Sequence, residues 1–185
     1  MKCVIDNWLS MPIWSAFAQD AKQAKYETVY QGGAAFPGFA ETELLPPELD
    51  SLRRLIGDPT LTGRAAYRRY EPGMIQPTFI HNDAAVADYT CILFLNGPSE
   101  AFGGLAFYGD SHQPEYVNGI PAWPVMNCKL MQEYVPMRPN RLVIFSGDEF
   151  HSRWPKDPPS DHVRTIKVYF LKRGDSAPSL NLIKG

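Results

Sequence analysis

Two histidines and one aspartate have the residue types and the spacing of metal ligands in this chain of 185 residues. His81 and Asp83 stand two positions apart, so in an extended segment both side chains leave the same face. His151 lies far downstream and completes a set of two imidazoles and one carboxylate. Such a set occupies one face of an octahedral iron and leaves three positions open, whereas a closed zinc site generally has four protein ligands. The alternative for the His81 pair is a surface histidine beside a turn aspartate.

Arg164 is the second feature that points to chemistry. In the predicted strand Val163–Leu171 it shares one face with Ile166 and Val168. An arginine on the more apolar face of a strand is costly unless it meets an anion, and a guanidinium donates parallel hydrogen bonds to a carboxylate. The pattern therefore predicts a carboxylate-binding position inside a barrel, on the strand that follows His151. The alternative is an arginine at the end of the strand whose head reaches solvent.

Short strands separated by turn residues must position these side chains. The predicted strands are Ala65–Tyr70, Phe79–Asn82, Tyr89–Leu95, Leu105–Tyr108, Lys129–Val135, Arg141–Phe145 and Val163–Leu171. Seven such strands are typical of a sandwich or jelly roll. Two helices are predicted before them, one beginning near Ser10-Met11-Pro12 and one following Pro46-Pro47 and ending at Gly57-Asp58-Pro59. Between the helices, Gly32-Gly33 and Phe36-Pro37-Gly38 predict a loop.

The overall charge is nearly balanced, with 18 basic and 20 acidic residues. Binding of nucleic acid mainly through a basic surface is therefore less favoured than binding of a small molecule or a peptide, although it is not excluded. The first residues lack the pattern of a signal peptide, and no apolar run is long enough for a membrane span. We therefore expect a soluble, cytoplasmic protein, while the sequence leaves the oligomeric state open.

Several segments in a fixed order carry a resemblance to a known family. They run from Tyr70-Glu71-Pro72-Gly73 through Phe79-Ile80-His81-Asn82-Asp83, Thr90-Cys91-Ile92-Leu93-Phe94-Leu95-Asn96, Gly103-Gly104-Leu105-Ala106-Phe107-Tyr108 and Asn140-Arg141-Leu142-Val143-Ile144-Phe145 to His151 and Arg164. Each segment is common by itself, but their order is specific. The chain resembles the iron(II)/2-oxoglutarate-dependent oxygenases, in particular the prolyl-4-hydroxylase-like branch.

This resemblance implies a mainly β fold of the α+β class, a double-stranded β-helix (jelly roll) with N-terminal helices packed on its major sheet. The whole chain, residues 1–185, would form a single oxygenase domain. Residues 1–62 would be a helical support region, residues 63–172 the double-stranded β-helix core and residues 173–185 a C-terminal tail.

The activity that the resemblance implies is hydroxylation of a C–H bond with Fe(II), 2-oxoglutarate and O2, and with succinate and CO2 as co-products. The substrate would be a peptidyl residue, an amino acid or another small molecule. Two alternatives stay open: a cupin-like metal-binding jelly roll without 2-oxoglutarate chemistry, and a non-catalytic binding module. The inward Arg164 is the residue that the cupin alternative leaves without a role.

The roles of individual residues follow from the same resemblance. His81, Asp83 and His151 match the iron ligands. Arg164 matches the basic residue that pairs with the distal carboxylate of 2-oxoglutarate. Tyr70 matches a tyrosine whose hydroxyl contacts that cosubstrate.

Two positions depart from the family pattern. Ile166 stands where members often have serine or threonine, and Phe94 stands where some members have a second tyrosine. Each change removes a hydroxyl that would contact the cosubstrate. Tyr89 and Thr90 are the predicted replacements.

Aromatic and basic residues near the metal motif are the candidates for substrate contact. Trp123 lies in the long connection Asp110–Pro139, and such connections are often lids or binding loops. Arg153 and Trp154 directly follow the ligand His151 and would form a second wall. The alternative is that these aromatic side chains only pack the loop onto the sandwich.

Overall fold

The computed structural model describes residues 2–31, 34–74, 79–96, 103–109, 115–117, 120–124, 131–154, 163–174 and 183–184. Within these ranges the chain forms two helices, α1 (Met11–Gln23) and α2 (Pro46–Ile56). The strands are β1 (Lys2–Ile5), β2 (Glu27–Gln31), β3 (Ala34–Thr42), β4 (Thr62–Tyr70), β5 (Phe79–His81), β6 (Tyr89–Phe94), β7 (Gly104–Tyr108), β8 (Glu115–Val117), β9 (Ile120–Pro124), β10 (Met131–Val135), β11 (Leu142–Ser146), β12 (Phe150–Trp154), β13 (Arg164–Lys172) and β14 (Ile183–Lys184).

The strands form two antiparallel sheets. The major sheet has the order β1-β11-β6-β13-β4-β3-β2-β14, and the minor sheet has the order β10-β7-β12-β5-β9-β8. Neighbours in each sheet are mostly distant in sequence, as in a jelly roll. The predicted double-stranded β-helix is therefore confirmed.

Strand β13 lies at the centre of the major sheet, and its alternating side chains enter two different cores. One core, the inner layer, joins the two sheets. Its buried members are Val29, Phe39, Ala66, Ile92, Phe94, Leu105, Phe107, Val135, Met137, Val143, Phe145, Ile166 and Val168. The other core, the outer layer, joins the major sheet to the helices. Its buried members are Ala21, Ala40, Leu52, Leu61, Ala65, Tyr67, Cys91, Leu93, Leu95, Leu142, Ile144, Tyr169 and Leu171.

Both predicted helices are present and pack on the major sheet. Pro46 and Pro47 begin α2, where a missing N–H costs nothing, and Gly57 ends it in the left-handed conformation with a φ of 80°. Ala21 of α1 and Leu52 of α2 are fully buried in the outer layer. The helices thus cover the face of the major sheet that is opposite the minor sheet.

The N-terminal region is more than a helical support. It also contributes β1, β2 and β3 to the major sheet, so the loop predicted at Phe36-Pro37-Gly38 is wrong. Gly38 has a φ of 73°, and the pairing of β2 with β3 shifts register between Glu27 and Val29. A bulge of this kind accommodates glycine and proline within a strand, which explains why their presence misled the prediction.

Four further strands lie where none was predicted, and two of them, β8 and β9, lie in the segment Asp110–Pro139 that was predicted to be a connection. The tail predicted at residues 173–185 supplies β14, which pairs with β2. Residues 150–154, predicted to connect two strands, form β12 in the middle of the minor sheet. Among the described residues, neither helix is long and apolar enough to cross a membrane. The assignment of the whole chain to one domain stays a prediction.

Candidate metal centre

Two neighbouring strands of the minor sheet bring the predicted ligands together. In the antiparallel pair of β5 and β12, His81 lies directly opposite His151. Directly opposite residues point to the same face of a sheet, and the two imidazole centroids are 4.4 Å apart. Asp83 follows β5 by two residues and is held by a hydrogen bond from its backbone N–H to the Gly147 carbonyl, 2.7 Å away.

The three side chains, which we call the metal triad, have a geometry that fits one ion. One ligand atom from each of His81, Asp83 and His151 lies within 4.8 Å of the others. The closest separations are 3.8 Å from His81 Nε2 to an Asp83 oxygen and 3.6 Å from His151 Nε2 to the other oxygen. Metal–ligand bonds of about 2.1 Å place the ligand atoms of one ion roughly 3–4 Å apart, so small side-chain adjustments suffice.

Hydrogen bonds orient two of the three ligands. The Nδ1 atom of His151 lies 2.9 Å from the carbonyl oxygen of Glu149. A neutral imidazole donates its Nδ1–H to that carbonyl and leaves the Nε2 lone pair for a cation. Thr90 Oγ1 donates to Asp83 Oδ2 over 2.7 Å. These contacts fix the faces that the ligands present to the ion.

The surroundings of His151 keep it in the neutral form that binds metals. Burial, followed by the charge of His81, lowers the pKa of His151 to about 4, against the raising influence of Asp83. The His151 ring also contacts Phe145, with centroids 4.6 Å apart, and Phe107, at 6.4 Å. Since both phenylalanines belong to the inner layer, the metal triad faces the space between the two sheets.

Arg164 also faces the inner layer, as the sequence predicts. Only 2% of the residue is exposed. Its Nε donates a hydrogen bond to the Gly103 carbonyl, and no carboxylate among the described residues pairs with it. Burial, the largest cause, lowers the pKa of Arg164 to about 10, so the group remains charged at neutral pH. A buried guanidinium without a carboxylate is the arrangement expected of an anion-binding residue.

Tyr70 lies between three guanidinium groups. It is the register partner of Arg164, whose Cζ is 5.1 Å from the Tyr70 ring centroid. The Cζ of Arg153 is 4.6 Å and that of Arg68 is 5.8 Å from the same centroid. We call Arg68, Arg153 and Arg164 the arginine cluster. Burial raises the pKa of Tyr70, but the three positive charges together lower it more, and the net shift is downward.

Arg68 is the member of this cluster that the sequence analysis missed. It stands two residues before Tyr70 on β4, so both side chains leave the same face of the major sheet. Strand alternation is the sequence signal that could have identified Arg68. It places Arg68 near Arg164 only when the pairing of β4 with β13 is also known.

Two predicted site residues face away from the inner layer, and their assignments are corrected here. Tyr89 packs against the outer layer and accepts a hydrogen bond from Arg173, so it does not contact a cosubstrate beside Arg164. Trp154 packs with Ile80 and Phe150 on the outer side of the minor sheet, so it does not line the site. In both cases the cause is strand alternation, which sends neighbouring residues to opposite faces.

The remaining candidates have mixed outcomes. Arg153 shares the inward face of β12 with His151 and reaches the Tyr70 ring. Thr90 also points inward, but its hydroxyl donates a hydrogen bond to Asp83. The backbone of Trp123 lies in β9, and its side chain is outside the described residues. Ile166 and Phe94 lie in the inner layer at the positions that depart from the family pattern.

Comparison with known proteins was made by sequence and by structure. No family model and no curated protein matches the sequence. Solved structures do match. An oxidoreductase of the 2OG-Fe(II) oxygenase family from Burkholderia pseudomallei has a TM-score of 0.66 at 11% identity, over 97% of this chain and 88% of that chain.

Two other solved structures are similar over comparable lengths. A prolyl-4-hydroxylase from Pseudomonas putida has a TM-score of 0.64 at 12% identity, over 93% of this chain and 92% of that one. HygX from Streptomyces hygroscopicus, solved with nickel, 2-oxoglutarate and hygromycin B bound, has a TM-score of 0.59 at 12% identity, over 97% and 85%. The chain therefore has the fold of the 2OG-Fe(II) oxygenases, in agreement with the predicted fold.

Proposed function

We propose that the protein is an Fe(II)- and 2-oxoglutarate-dependent dioxygenase that hydroxylates a C–H bond of its substrate. The observation that carries this proposal is the coexistence of two features in the inner layer: a His-Asp-His triad and a buried arginine without a carboxylate partner among the described residues. Either feature alone is compatible with other proteins. Together, in a fold shared with 2OG-Fe(II) oxygenases, they favour this chemistry.

The donor atoms of the metal triad fit ferrous iron. Two imidazole nitrogens and one carboxylate oxygen bind one side of an octahedral ion and leave positions for other ligands. The Glu149 carbonyl holds His151 in the tautomer that presents Nε2, and Thr90 holds the Asp83 carboxylate. These residues would bind the ion without a fourth protein ligand, which is the condition for cosubstrate and oxygen to reach it.

The residues on β13 and β4 fit 2-oxoglutarate. Arg164 uses its Nε for the Gly103 carbonyl, so its terminal nitrogens would donate to the distal carboxylate of the cosubstrate. The Tyr70 hydroxyl would add a hydrogen bond there. Bound iron would couple the reduction of O2 to the oxidative decarboxylation of 2-oxoglutarate, so that one oxygen atom enters the succinate and the other enters the substrate as a hydroxyl, with loss of CO2. The protein would position the reactants and keep water from the site.

The charge of the chain and the position of the site bear on the class of substrate. We propose a small molecule, an amino acid or a peptidyl residue, because the chain is nearly neutral and the inner-layer site lies between two sheets. The structurally similar HygX was solved with hygromycin B bound. A cupin-like metal protein without 2-oxoglutarate is the second candidate, but it gives the buried charge of Arg164 no partner.

Ligand binding and turnover together test this proposal. Anaerobic addition of Fe(II) and then 2-oxoglutarate should produce the visible charge-transfer band of the chelate, and air should then produce succinate. His151→Ala should abolish both signals, because one of three ligands is lost. Arg173→Gln, at a side chain that is 61% exposed, serves as the control and should retain both. Metal binding without any affinity for 2-oxoglutarate would contradict the proposal and favour the cupin alternative.

A further inference from the structure

We propose that the turn formed by residues 146–149 positions two of the three metal ligands as one unit, and that Gly147 makes this arrangement possible. We call these residues the ligand turn, and residues 83–88 the ligand loop. The inference rests on the proposed function, since it requires that the metal triad binds a divalent ion. It adds a positioning residue outside the triad and a coupling between Asp83 and His151.

The ligand turn holds both Asp83 and His151 through its backbone carbonyls. The Gly147 carbonyl accepts the N–H of Asp83 over 2.7 Å, and the Glu149 carbonyl lies 2.9 Å from Nδ1 of His151. A hydrogen bond of 3.0 Å from the Glu149 N–H to the Ser146 carbonyl closes the turn. Because both carbonyls belong to one closed turn, a shift of the turn moves both ligands.

A second hydrogen bond joins the ligand turn to the ligand loop in the reverse direction. The Gly147 N–H donates to the Asp88 carbonyl over 2.8 Å, so both backbone polar groups of Gly147 bind the loop. Within the loop, the Asp83 carbonyl accepts the N–H of Ala87 over 2.8 Å. Gly147 is buried, and buried backbone groups are costly to leave unpaired. The turn and the loop therefore form one hydrogen-bonded unit.

The absence of a side chain at Gly147 permits this close approach. A Cβ added there would overlap the carbonyl oxygen of Ala87 and lie 2.9 Å from its carbonyl carbon. The φ of Gly147 is outside the left-handed region, so the position requires glycine for space and not for conformational freedom. The crowded atoms are backbone and cannot rotate away, and Ala87 is fully buried. A side chain at this position would push the turn and the loop apart, and with them His151 and Asp83.

Gly63 offers a matched comparison, because it is equally crowded but lies in another part of the fold. A Cβ added at Gly63 would lie 2.5 Å from Cδ2 of Leu171 and 2.8 Å from the carbonyl oxygen of Phe170. Gly63 belongs to β4, and these neighbours belong to β13, so the added atom would meet neither the ligand turn nor the ligand loop. Alanine should therefore cost stability at either glycine, but should change the metal centre only at Gly147.

Titration of Co(II) into the full chain tests this proposal. Gly147→Ala should bind Co(II) at least about 10-fold more weakly than the wild type, since groups that orient metal ligands typically contribute 10- to 100-fold in affinity. At saturating Co(II), the ligand-field absorption spectrum of the variant should differ from that of the wild type, because displaced ligands change the coordination geometry. Gly63→Ala should unfold at a lower urea concentration and yet retain the affinity and the spectrum of the wild type.

Hydrogen exchange in the metal-free wild type tests the coupling without a variant, and it covers the case in which Gly147→Ala does not fold. The amide of Asp83 donates to the turn, and the amide of Gly147 donates to the loop. If the two segments separate only as a unit, both bonds open in the same event, and the two amides should show protection factors within about 3-fold of each other.

Two results would overturn the proposal. Wild-type affinity and an unchanged Co(II) spectrum in Gly147→Ala would show that the close approach at Gly147 does not position the ligands. An Asp83 amide that exchanges much faster than the Gly147 amide would show that the two bonds open independently. Failure of the wild type to bind Co(II) would refute the proposed function, while hydrogen exchange would still decide whether the turn and the loop move together. Binding of Co(II) without 2-oxoglutarate would refute the proposed function alone.

Discussion

The two faces of strand β13 each bury a positive charge, but they treat it differently. Lys167 points to the outer layer and is 1% exposed, and its Nζ donates to both carboxylate oxygens of Glu48 over 2.9 Å. Arg164 points to the inner layer and is 2% exposed, yet no described carboxylate pairs with it. The same strand thus carries one buried cation with a carboxylate partner and one without such a partner among the described residues.

On the outer face, further hydrogen bonds join the major sheet to carboxylates of the helices. Tyr169 donates to Glu48 over 2.6 Å, and Tyr67 donates to Asp20 over 2.7 Å. Since Glu48 lies on α2 and Asp20 on α1, these bonds attach both helices to the major sheet. The comparison teaches that burial of a charge does not by itself mark a functional site. Lys167 has its counter-charge within the described chain and is a structural cation, whereas the proposed function assigns the counter-charge of Arg164 to 2-oxoglutarate.

The largest effect is expected from breaking the outer pair. Lys167→Met would leave the Glu48 carboxylate buried without its cation, which typically costs about 3–5 kcal/mol of folding free energy. Urea-induced unfolding measures this loss. The double variant Glu48→Leu with Lys167→Met should recover most of it, because replacing both charges with apolar groups removes the unpaired ion. A loss below about 1 kcal/mol in the single variant would contradict a structural role for the pair.

Replacement of Arg164 on the inner face should weaken ligand binding and have little effect on stability. Arg164→Met removes a desolvated charge that has no carboxylate partner among the described residues, so unfolding free energy should stay within about 1 kcal/mol of the wild type. Its affinity for 2-oxoglutarate should fall about 10- to 100-fold, the range for a lost charge-assisted hydrogen bond. Unfolding in urea and titration with 2-oxoglutarate in the presence of Mn(II) measure the two effects. Destabilisation as large as that of Lys167→Met would remove the distinction between the two faces.

The sequence alone was sufficient to predict which side chains of β13 share a face. Arg164 and Ile166 were predicted to share the inward face, and the structure places both there. The metal triad was predicted for a similar reason, because His81 and Asp83 stand two residues apart and His151 follows a clear apolar strand. Local periodicity records which way a side chain points, so features that depend only on direction could be predicted.

Features that depend on pairing between distant strands could not be predicted. Arg68 becomes significant only because β4 lies beside β13, and the sequence contains no signal for that neighbourhood. Trp154 was misassigned because β12 was taken for a loop, in which alternation gives no direction. Tyr89 was misassigned although its strand was predicted, because Tyr89 and Thr90 are consecutive and strand alternation sends only Thr90 to the inner face.

The smallest expected effect concerns the support of a metal ligand on the inner face. Thr90 donates to Asp83 Oδ2 over 2.7 Å, so Thr90→Val keeps the side-chain shape but releases the carboxylate. Groups that orient metal ligands in this way typically contribute 10- to 100-fold in affinity, and we expect about 10-fold weaker binding of Mn(II). Thr90→Ser, which keeps the hydroxyl, is the matched control and should bind Mn(II) nearly as the wild type does.

Separate titrations distinguish this role from the one that the sequence analysis assigned to Thr90. If the hydroxyl orients Asp83, Thr90→Val lowers the affinity for Mn(II) even when no 2-oxoglutarate is present. If the hydroxyl instead contacts the cosubstrate, binding of Mn(II) alone stays unchanged and only the affinity for 2-oxoglutarate falls. The short contact with Asp83 favours the first result, because a hydroxyl has one proton to donate and Asp83 already accepts it.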